Sequence, residues 1–359
     1  NHFNELYKFR DNTYFRNTSG GSTGELVVFY QDKYYLEWLI ATKILFDEWA
    51  GRKIGDPMVK LWAPIQDIPQ KKNIDIKNFI RESLYGIKTI NTFWMTEKEE
   101  HEYVKKINSI KPRLILANTG GIDEFIRYTK RNHLFIYSPD AIMTSAGVLF
   151  PEIRARIKDT FNTIVFDRYG SREVGDIACN CAKEQGLHLV PDVHFVEVVD
   201  DQGEEVKPGE MGEIIISVLE NYTMPLIRYK ICDKGILSSQ SCSCGRGLPL
   251  LEKVVGRSRS VFINKKGDYI DGGQFIRFFY FRKNIKQFQV IQEAIDFISI
   301  DLVLIDKNKI KDMDRDLNQI NQMIGKVMGR HTKIKYNIVD KIKPSPSGKY
   351  HYIFSKIIR

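Results

Sequence analysis

Thr18-Ser19-Gly20-Gly21-Ser22-Thr23-Gly24 lies between a polar approach and the apolar run Leu26–Tyr30. Three glycines and four hydroxyls in seven residues make a loop whose backbone N–H groups can converge on one point. Such a nest, with hydroxyl donors beside it, suits the oxygens of a polyphosphate. No Gly-Lys-Ser/Thr follows, so this is not the lysine-bearing P-loop, and a cation for bound phosphates must come from elsewhere in the chain. Lys349, in Pro344-Ser345-Pro346-Ser347-Gly348-Lys349, is the candidate. A flexible connector has the same composition, so the reading depends on what accompanies the loop.

Working outward, residues 33–50 carry apolar positions at helical spacing. Glu97–Ile110 reads as a helix, Arg113–Ala117 as a strand entered after Pro112, and Asp123–Arg131 as a second helix. Pro151–Phe161 is a helix with proline at its first position, and Thr163–Phe166 a buried strand. This alternation predicts an α/β layer. After Gly175 the texture becomes β-rich: Val193–Val199 and Glu213–Leu219 alternate as strands, and Met224–Lys230 continues the pattern. The tail reads as strands over Phe288–Gln292, Phe297–Ile305 and Thr332–Val339, with an amphipathic helix over Met313–Met328.

At 359 residues the chain suits two or three domains. From Arg257 to the end there are 21 Lys+Arg against 10 Asp+Glu, while the remainder of the +9 chain is near balance. That shift predicts a boundary at Gly256, with a large α/β domain and its β-rich subdomain over 1–256 and a small α+β lobe over 257–359. The basic lobe lacks a basic run interleaved with aromatics, which argues against nucleic acid and for a lysine face or a lobe that closes over a polyanion. No apolar run approaches the roughly 20 residues of a spanning helix. An odd number of cysteines, five, argues against a disulfide framework and for a reducing, cytoplasmic setting. The chain opens without Met and runs quickly into the glycine loop, so an N-terminal portion is expected to be missing.

Three further polar signatures lie between the loop and Lys349. Tyr169-Gly170-Ser171-Arg172-Glu173-Val174-Gly175 follows a buried strand, Asp233 ends the strand Ile227–Asp233, and Gly256-Arg257-Ser258-Arg259 falls at the charge boundary. Singly these also read as a core tyrosine, a turn former and a linker. In their order they resemble the adenylate-forming superfamily, more closely its phenylacetate–CoA ligase-like branch, which includes proteins of capsular polysaccharide clusters. The resemblance runs from about Thr18 to Lys356 through TSGGSTG, YGSREVG, GLH, GEMGEIIIS, PLIRY, CSCGRGLP, GR and PSGKY.

The resemblance implies the roles. Thr18, Ser19, Gly20, Gly21, Ser22, Thr23 and Gly24 would cradle the β- and γ-phosphates of ATP; Tyr169, with Gly170 and Ser171, would face the adenine. Glu173 would help hold Mg²⁺, Asp233 would accept from the ribose hydroxyls, and Arg257 would contact the nucleotide. Lys349 would bridge the substrate carboxylate and the α-phosphate. Some positions depart from the family pattern. Cys232 stands where Gly usually precedes the ribose-binding Asp, and Arg259 where Asp is common. Ser145-Ala146-Gly147-Val148 lacks the acidic residue often found there.

The cysteines supply a second site. Cys181-x6-His188 is followed by Cys242-x-Cys244. Three thiolates and one imidazole are a closed tetrahedral Zn²⁺ set that would pin two loops together. Buried free cysteines beside a surface histidine are the alternative. Members of the branch with the same C-x6-H and CxCGR bind zinc. Cys179 is the reserve ligand and Cys232 a packed thiol, while His101, His194, His331 and His351 read as surface or core residues.

The expected activity is ATP-dependent activation of a small carboxylic acid through an acyl-adenylate, then acyl transfer to CoA or another acceptor. A homodimer is compatible with this reading. The alternatives are a non-catalytic nucleotide-binding homologue and a zinc-stabilised nucleic-acid-binding protein.

Overall fold

The computed structural model describes residues 14–20, 26–62, 83–91, 97–257, 261–267, 269–271, 275, 278–279, 282, 284–307, 313–343 and 352–357. Strands β1 (Tyr14–Gly20) and β2 (Leu26–Asp32) pair antiparallel with Gly20 opposite Leu26, so the glycine-rich stretch connects the arms of one hairpin. Asp32 then caps helix α1 (Lys33–Trp49), its carboxylate accepting from the Tyr35 amide at 2.8 Å. Along α1, Tyr35, Leu39, Thr42 and Phe46 are buried at the spacing of one helical face.

An alternating stretch follows: β3 (Met58–Trp62), β4 (Ile87–Asn91), α2 (Glu97–Ile110), β5 (Leu114–Asn118), α3 (Thr119–Arg131), β6 (Ala141–Ser145), α4 (Pro151–Phe161) and β7 (Ile164–Ser171). β6 is buried throughout and β5 is buried up to its last residue, as in strands covered on both faces. Strands β4, β3, β5, β6 and β7 lie in that order and run parallel. β7 joins the two halves of the sheet. Its residues Ile164–Asp167 run parallel beside β6, whereas Arg168–Ser171 pair antiparallel with β8 (Gly175–Asn180). With β9 (Leu187–Leu189), β10 (His194–Val199), β11 (Met211–Val218), β12 (Tyr229–Leu237) and β13 (Leu250–Arg257), the sheet has eleven strands, ordered β10-β11-β12-β13-β9-β8-β7-β6-β5-β3-β4.

After the short hairpin β14 (Val261–Ile263) and β15 (Tyr269–Asp271), a second sheet forms from β16 (Ile285–Ala294), β17 (Phe297–Leu304), β18 (Lys333–Ile338) and β19 (Ile353–Ser355). Its order is β18-β17-β16-β19, with helix α5 (Asp314–Met328) between β17 and β18 in sequence. Ile320, Ile324 and Met328 form the buried stripe of α5, and the Phe279 and Phe288 rings stack with centroids 4.4 Å apart. The chain divides into two compact units at Val254/Val255, with Cys232–Lys234 grouped with the second. An α/β unit with a β-rich part and a smaller α+β unit are the architecture that the sequence predicts.

Several local expectations need correction. Met224–Lys230 is not a strand: the strand starts at Tyr229 and runs past Asp233 to Leu237. Pro225 has no N–H to give a ladder, and Arg228 takes φ +48° while its amide donates to Ser217 Oγ at 2.9 Å. Asp233 therefore sits mid-strand. Helix α3 begins at Thr119 rather than Asp123, because Asn118 accepts from the Gly121 amide at 2.5 Å and caps it. Cys232 is exposed rather than packed, at φ +64°, the backbone conformation glycine adopts most easily. Lys349, Arg259 and His351 lie outside the described residues.

Candidate nucleotide site and metal cluster

Tyr169, Gly170 and Ser171 close β7, and Arg172–Val174 form the turn into β8. The glycines are sterically required. A Cβ on Gly170 would stand 2.3 Å from the Gly175 carbonyl oxygen, where the β7–β8 register is irregular, and Gly175 has φ +71°.

All three carbonyls of the turn are engaged by buried side chains. Gln31 Nε2 donates to Arg172 O at 3.4 Å and to Glu173 O at 3.5 Å. Val174 O receives the Tyr35 hydroxyl at 2.7 Å and lies 2.5 Å from His194 Nε2. A carbonyl only accepts, so His194 is protonated at Nε2. Burial pushes the His194 imidazole down to about 4, although the Val174 carbonyl and Asp176 pull the other way. Arg172 reaches Asn17 Oδ1 at 3.4 Å, and Asn17 in turn donates to Gln31 Oε1 at 3.3 Å. The hairpin arm that carries Thr18 is thus tied to the turn that carries Glu173.

Asp32 and Asn221 attach the hairpin to a third segment. The Asp32 carboxylate accepts from the Tyr222 and Thr223 amides at 3.2 and 3.3 Å, and Asn221 Nδ2 donates to Tyr30 O at 2.9 Å and Met224 O at 3.1 Å. Sequence reasoning did not find Gln31, Tyr35, His194 or Asn221 as functional residues. The visible signal was a polar Gln-Asp pair ending an apolar strand.

Sheet register adds further residues at the same edge. Asn118 lies opposite Ser145, and Thr144 opposite Asp167, so Asn118–Gly121, Ser145–Gly147 and Tyr169–Glu173 all follow the carboxyl ends of adjacent parallel strands. Open α/β sheets bind ligands at this edge. Thr119 Oγ1 bonds Gly147 O at 3.0 Å, and Ala146 takes φ +59°. Burial pushes the Asp167 carboxyl up to about 7, against Arg154 and a Thr144 hydrogen bond.

Of the expected site residues, Thr18–Gly20 end β1, Asp233 is half-buried in β12, and Arg257 ends β13. Gly21–Gly24 and Lys349 lie outside the described residues.

Away from this edge, Cys181 follows β8, His188 is the middle residue of β9, and Cys242 and Cys244 sit in the loop between β12 and β13. Their ligand atoms all lie within 4.8 Å of one another. Cys181 Sγ is 3.6 Å from Cys242 Sγ, and Cys244 Sγ is 3.4 Å from His188 Nε2. A tetrahedron with metal–sulfur arms of about 2.3 Å and a metal–nitrogen arm of about 2.0 Å has edges of about 3.8 and 3.5 Å, so the donor set fits Zn²⁺. Sulfurs 3.6 Å apart are too far for a disulfide.

The Lys183 amide points at Cys181 Sγ at 3.4 Å. Burial opposes ionisation of Cys244, but hydrogen bonds from Arg246 and the other two thiols bring it down to about 7. Burial pushes Cys242 up to about 11. Burial and then the Arg246 charge push the His188 imidazole below its usual range, toward the neutral form that ligates metal. Cys179, the expected reserve ligand, is not part of the cluster: it is buried in the apolar core beside Ala178 and Leu189.

Comparison with known proteins bears on the family and the fold. Residues 262–356 match the family described as the CapK C-terminal domain. Protein CapK of Staphylococcus aureus is 25% identical over 354 residues, covering 94% of this chain and 74% of that protein. Phenylacetate-coenzyme A ligase of Thermus thermophilus is 30% identical over 178 residues, covering 47% of this chain and 38% of that protein. The crystal structure of 2-hydroxyisobutyryl-CoA ligase in the postadenylation state, in complex with R3-HIB-AMP, superposes with a TM-score of 0.72 at 14% identity, covering 99% of this chain and 74% of that one. At that identity the superposition shows the shared fold. Together with the order of motifs along the sequence, these matches support the adenylate-forming superfamily, and within it the phenylacetate–CoA ligase-like branch, as the family this chain resembles.

Proposed function

We propose that the protein is an AMP-forming acyl ligase. A carboxylate oxygen of a small acid attacks the α-phosphorus of ATP, the bond to the β-phosphate oxygen breaks, and pyrophosphate leaves. A thiol, that of CoA in the leading reading, then attacks the acyl carbon of the adenylate, gives up its proton, and AMP departs. The observation that carries this reading is the tie between the Thr18 hairpin arm and the Arg172–Val174 turn through Gln31 and Asn17. It ties the arm that leads into the expected phosphate loop to the turn that carries Glu173, and an in-line transfer between anions needs such a common frame.

In this reading the loop amides and hydroxyls of Thr18–Gly24 hold the β- and γ-phosphates, and Tyr169 packs on the adenine above Gly170 and Ser171. Glu173 is the carboxylate that would hold Mg²⁺, which when bound offsets phosphate charge. Asp233 takes the ribose hydroxyls, Arg257 contacts the nucleotide, and Lys349 meets the substrate carboxylate and α-phosphate. Fixed dipoles and cations aimed at developing charge supply most of the rate in such transfers. We further infer that Cys181, His188, Cys242 and Cys244 hold one structural Zn²⁺, because the set leaves no open position for water.

A capsule-associated acyl transfer to a non-CoA acceptor is the second reading; the match to CapK covers 94% of this chain, twice the share matched by the phenylacetate ligase. One experiment tests both: pyrophosphate release across aryl, fatty and sugar acids, with and without CoA. CoA-dependent thioester supports the first reading, and adenylate that accumulates unchanged beside CoA supports the second. No release with any acid, while ATP still binds, points to a non-catalytic homologue.

A further inference from the structure

Four groups close a ring at one side of the cysteine cluster. The Arg246 guanidinium lies over the Trp49 indole at 4.5 Å from its centroid, a cation–π distance. Trp49 meets the His188 imidazole edge-on at 5.6 Å. His188 Nε2 is 3.4 Å from Cys244 Sγ. Arg246 stands two residues after Cys244, so the chain itself closes the ring. His188 Nδ1 is buried with no hydrogen-bond partner among the described residues, so the usual carboxylate or carbonyl behind a metal-bound histidine is missing here. Trp49 packs edge-on against that imidazole instead.

Charge balance gives the ring a purpose. Three thiolates and a neutral imidazole around Zn²⁺ leave one negative charge, beside a core that includes the fully buried Cys179. A cation fixed over Trp49, on the ring that packs against the ligand His188, offsets that charge once the metal is bound. Arginine suits the position better than lysine, since its guanidinium can stack on an indole and stays charged.

We propose that Arg246, held over Trp49, is the positioning cation of the metal cluster: it makes the three-thiolate set electrically neutral and so sets its affinity for zinc. The inference rests on the zinc reading above. It concerns a residue that is itself exposed and whose loss leaves no cavity.

The test is the Zn²⁺ dissociation constant of the full chain, measured by competition with a chromogenic chelator, together with urea unfolding of the metal-free form. Arg246→Gln is expected to weaken zinc binding tenfold or more and to speed its release to EDTA, the range seen when outer partners of metal ligands are removed. Arg246→Lys should recover part of that loss, and Trp49→Leu should weaken binding in the same direction through the unsupported guanidinium. Metal-free stability of Arg246→Gln should match the parent. Lys183→Gln removes a nearby exposed charge without touching the ring and should leave affinity unchanged.

Equal affinity in Arg246→Gln and the parent overturns the inference while leaving the zinc site standing. So does a loss in Lys183→Gln as large as in Arg246→Gln, which would mean a diffuse field. Lowered metal-free stability with unchanged affinity would make the ring a packing feature and also overturns it. A parent protein that binds no zinc removes both readings at once.

Discussion

The hydroxyl of Tyr35 on α1 donates to the carbonyl oxygen of Val174 at 2.7 Å, across 139 positions of sequence. That carbonyl directly follows Glu173 and is shared with His194 at 2.5 Å. Two buried donors on one acceptor make the turn carrying Glu173 a rigid feature.

Removing one donor should cost little and removing both should cost more than the sum. Tyr35→Phe or His194→Leu alone leaves Val174 O bonded, for about 1 kcal/mol each. The double variant orphans a buried carbonyl, worth up to about 3 kcal/mol beyond that. Urea unfolding of the four proteins checks it, and strictly additive losses would show that the two donors act separately.

His194 should also give the fold a pH dependence of known sign. Its folded value near 4 lies below the unfolded 6.5, so the unfolded chain binds the extra proton in between. The stabilisation is therefore full above pH 6.5 and is lost as pH falls toward 4, about 3 kcal/mol in all. Asp167, raised from 3.8 to about 7, acts oppositely: its contribution is full at low pH and is lost as pH rises through 7. The total can therefore look flat. The decisive measurement is the stability gap between parent and His194→Gln, which should shrink from pH 7 to pH 4. A constant gap would refute the assignment.

Replacing Gly21 with valine should weaken ATP binding while the protein stays folded, because a β-branched side chain blocks convergence of the loop amides. Calorimetry with ATP and Mg²⁺ reads this directly. An unaltered dissociation constant would remove the loop from the nucleotide site.

Lys349→Ala should slow adenylate formation by 10²–10³, on the order of 3–4 kcal/mol, and spare acyl transfer from pre-formed adenylate. ATP affinity and folding should be nearly unchanged. The two half-reactions assayed separately decide it, and a near-normal first half would reject the role.

Purified protein should contain about one zinc per chain, and chelation should lower the melting temperature more than it lowers ATP affinity. Cys181→Ser should reproduce the effect of the chelator. X-ray absorption at the zinc edge would identify three sulfurs and one nitrogen, and a spectrum without sulfur neighbours would end the idea.

Local chemistry made much of this protein legible from its sequence. Helices such as Glu97–Ile110 and Pro151–Phe161 are where apolar spacing and a leading proline place them, because a helix is set by contacts three and four residues apart. The Cys181, His188, Cys242 and Cys244 set was readable because thiols and an imidazole at short spacings have few other uses. The order of polar motifs carried the family.

The tertiary structure decided what depends on pairing between distant segments. Cys179 and Cys181 differ by two positions, yet only Cys181 reaches the cluster, because β8 ends at Asn180 and releases the chain. Asp233 proved to be mid-strand because proline and a left-handed Arg228 delay the start of β12. No periodicity could show that Gln31, Tyr35 and His194 converge on Arg172–Val174, since those bonds exist only once hairpin, helix and sheet are packed. Sequence spacing encodes the faces of single elements. The meeting of those faces is settled by burial and hydrogen-bond satisfaction across the whole core.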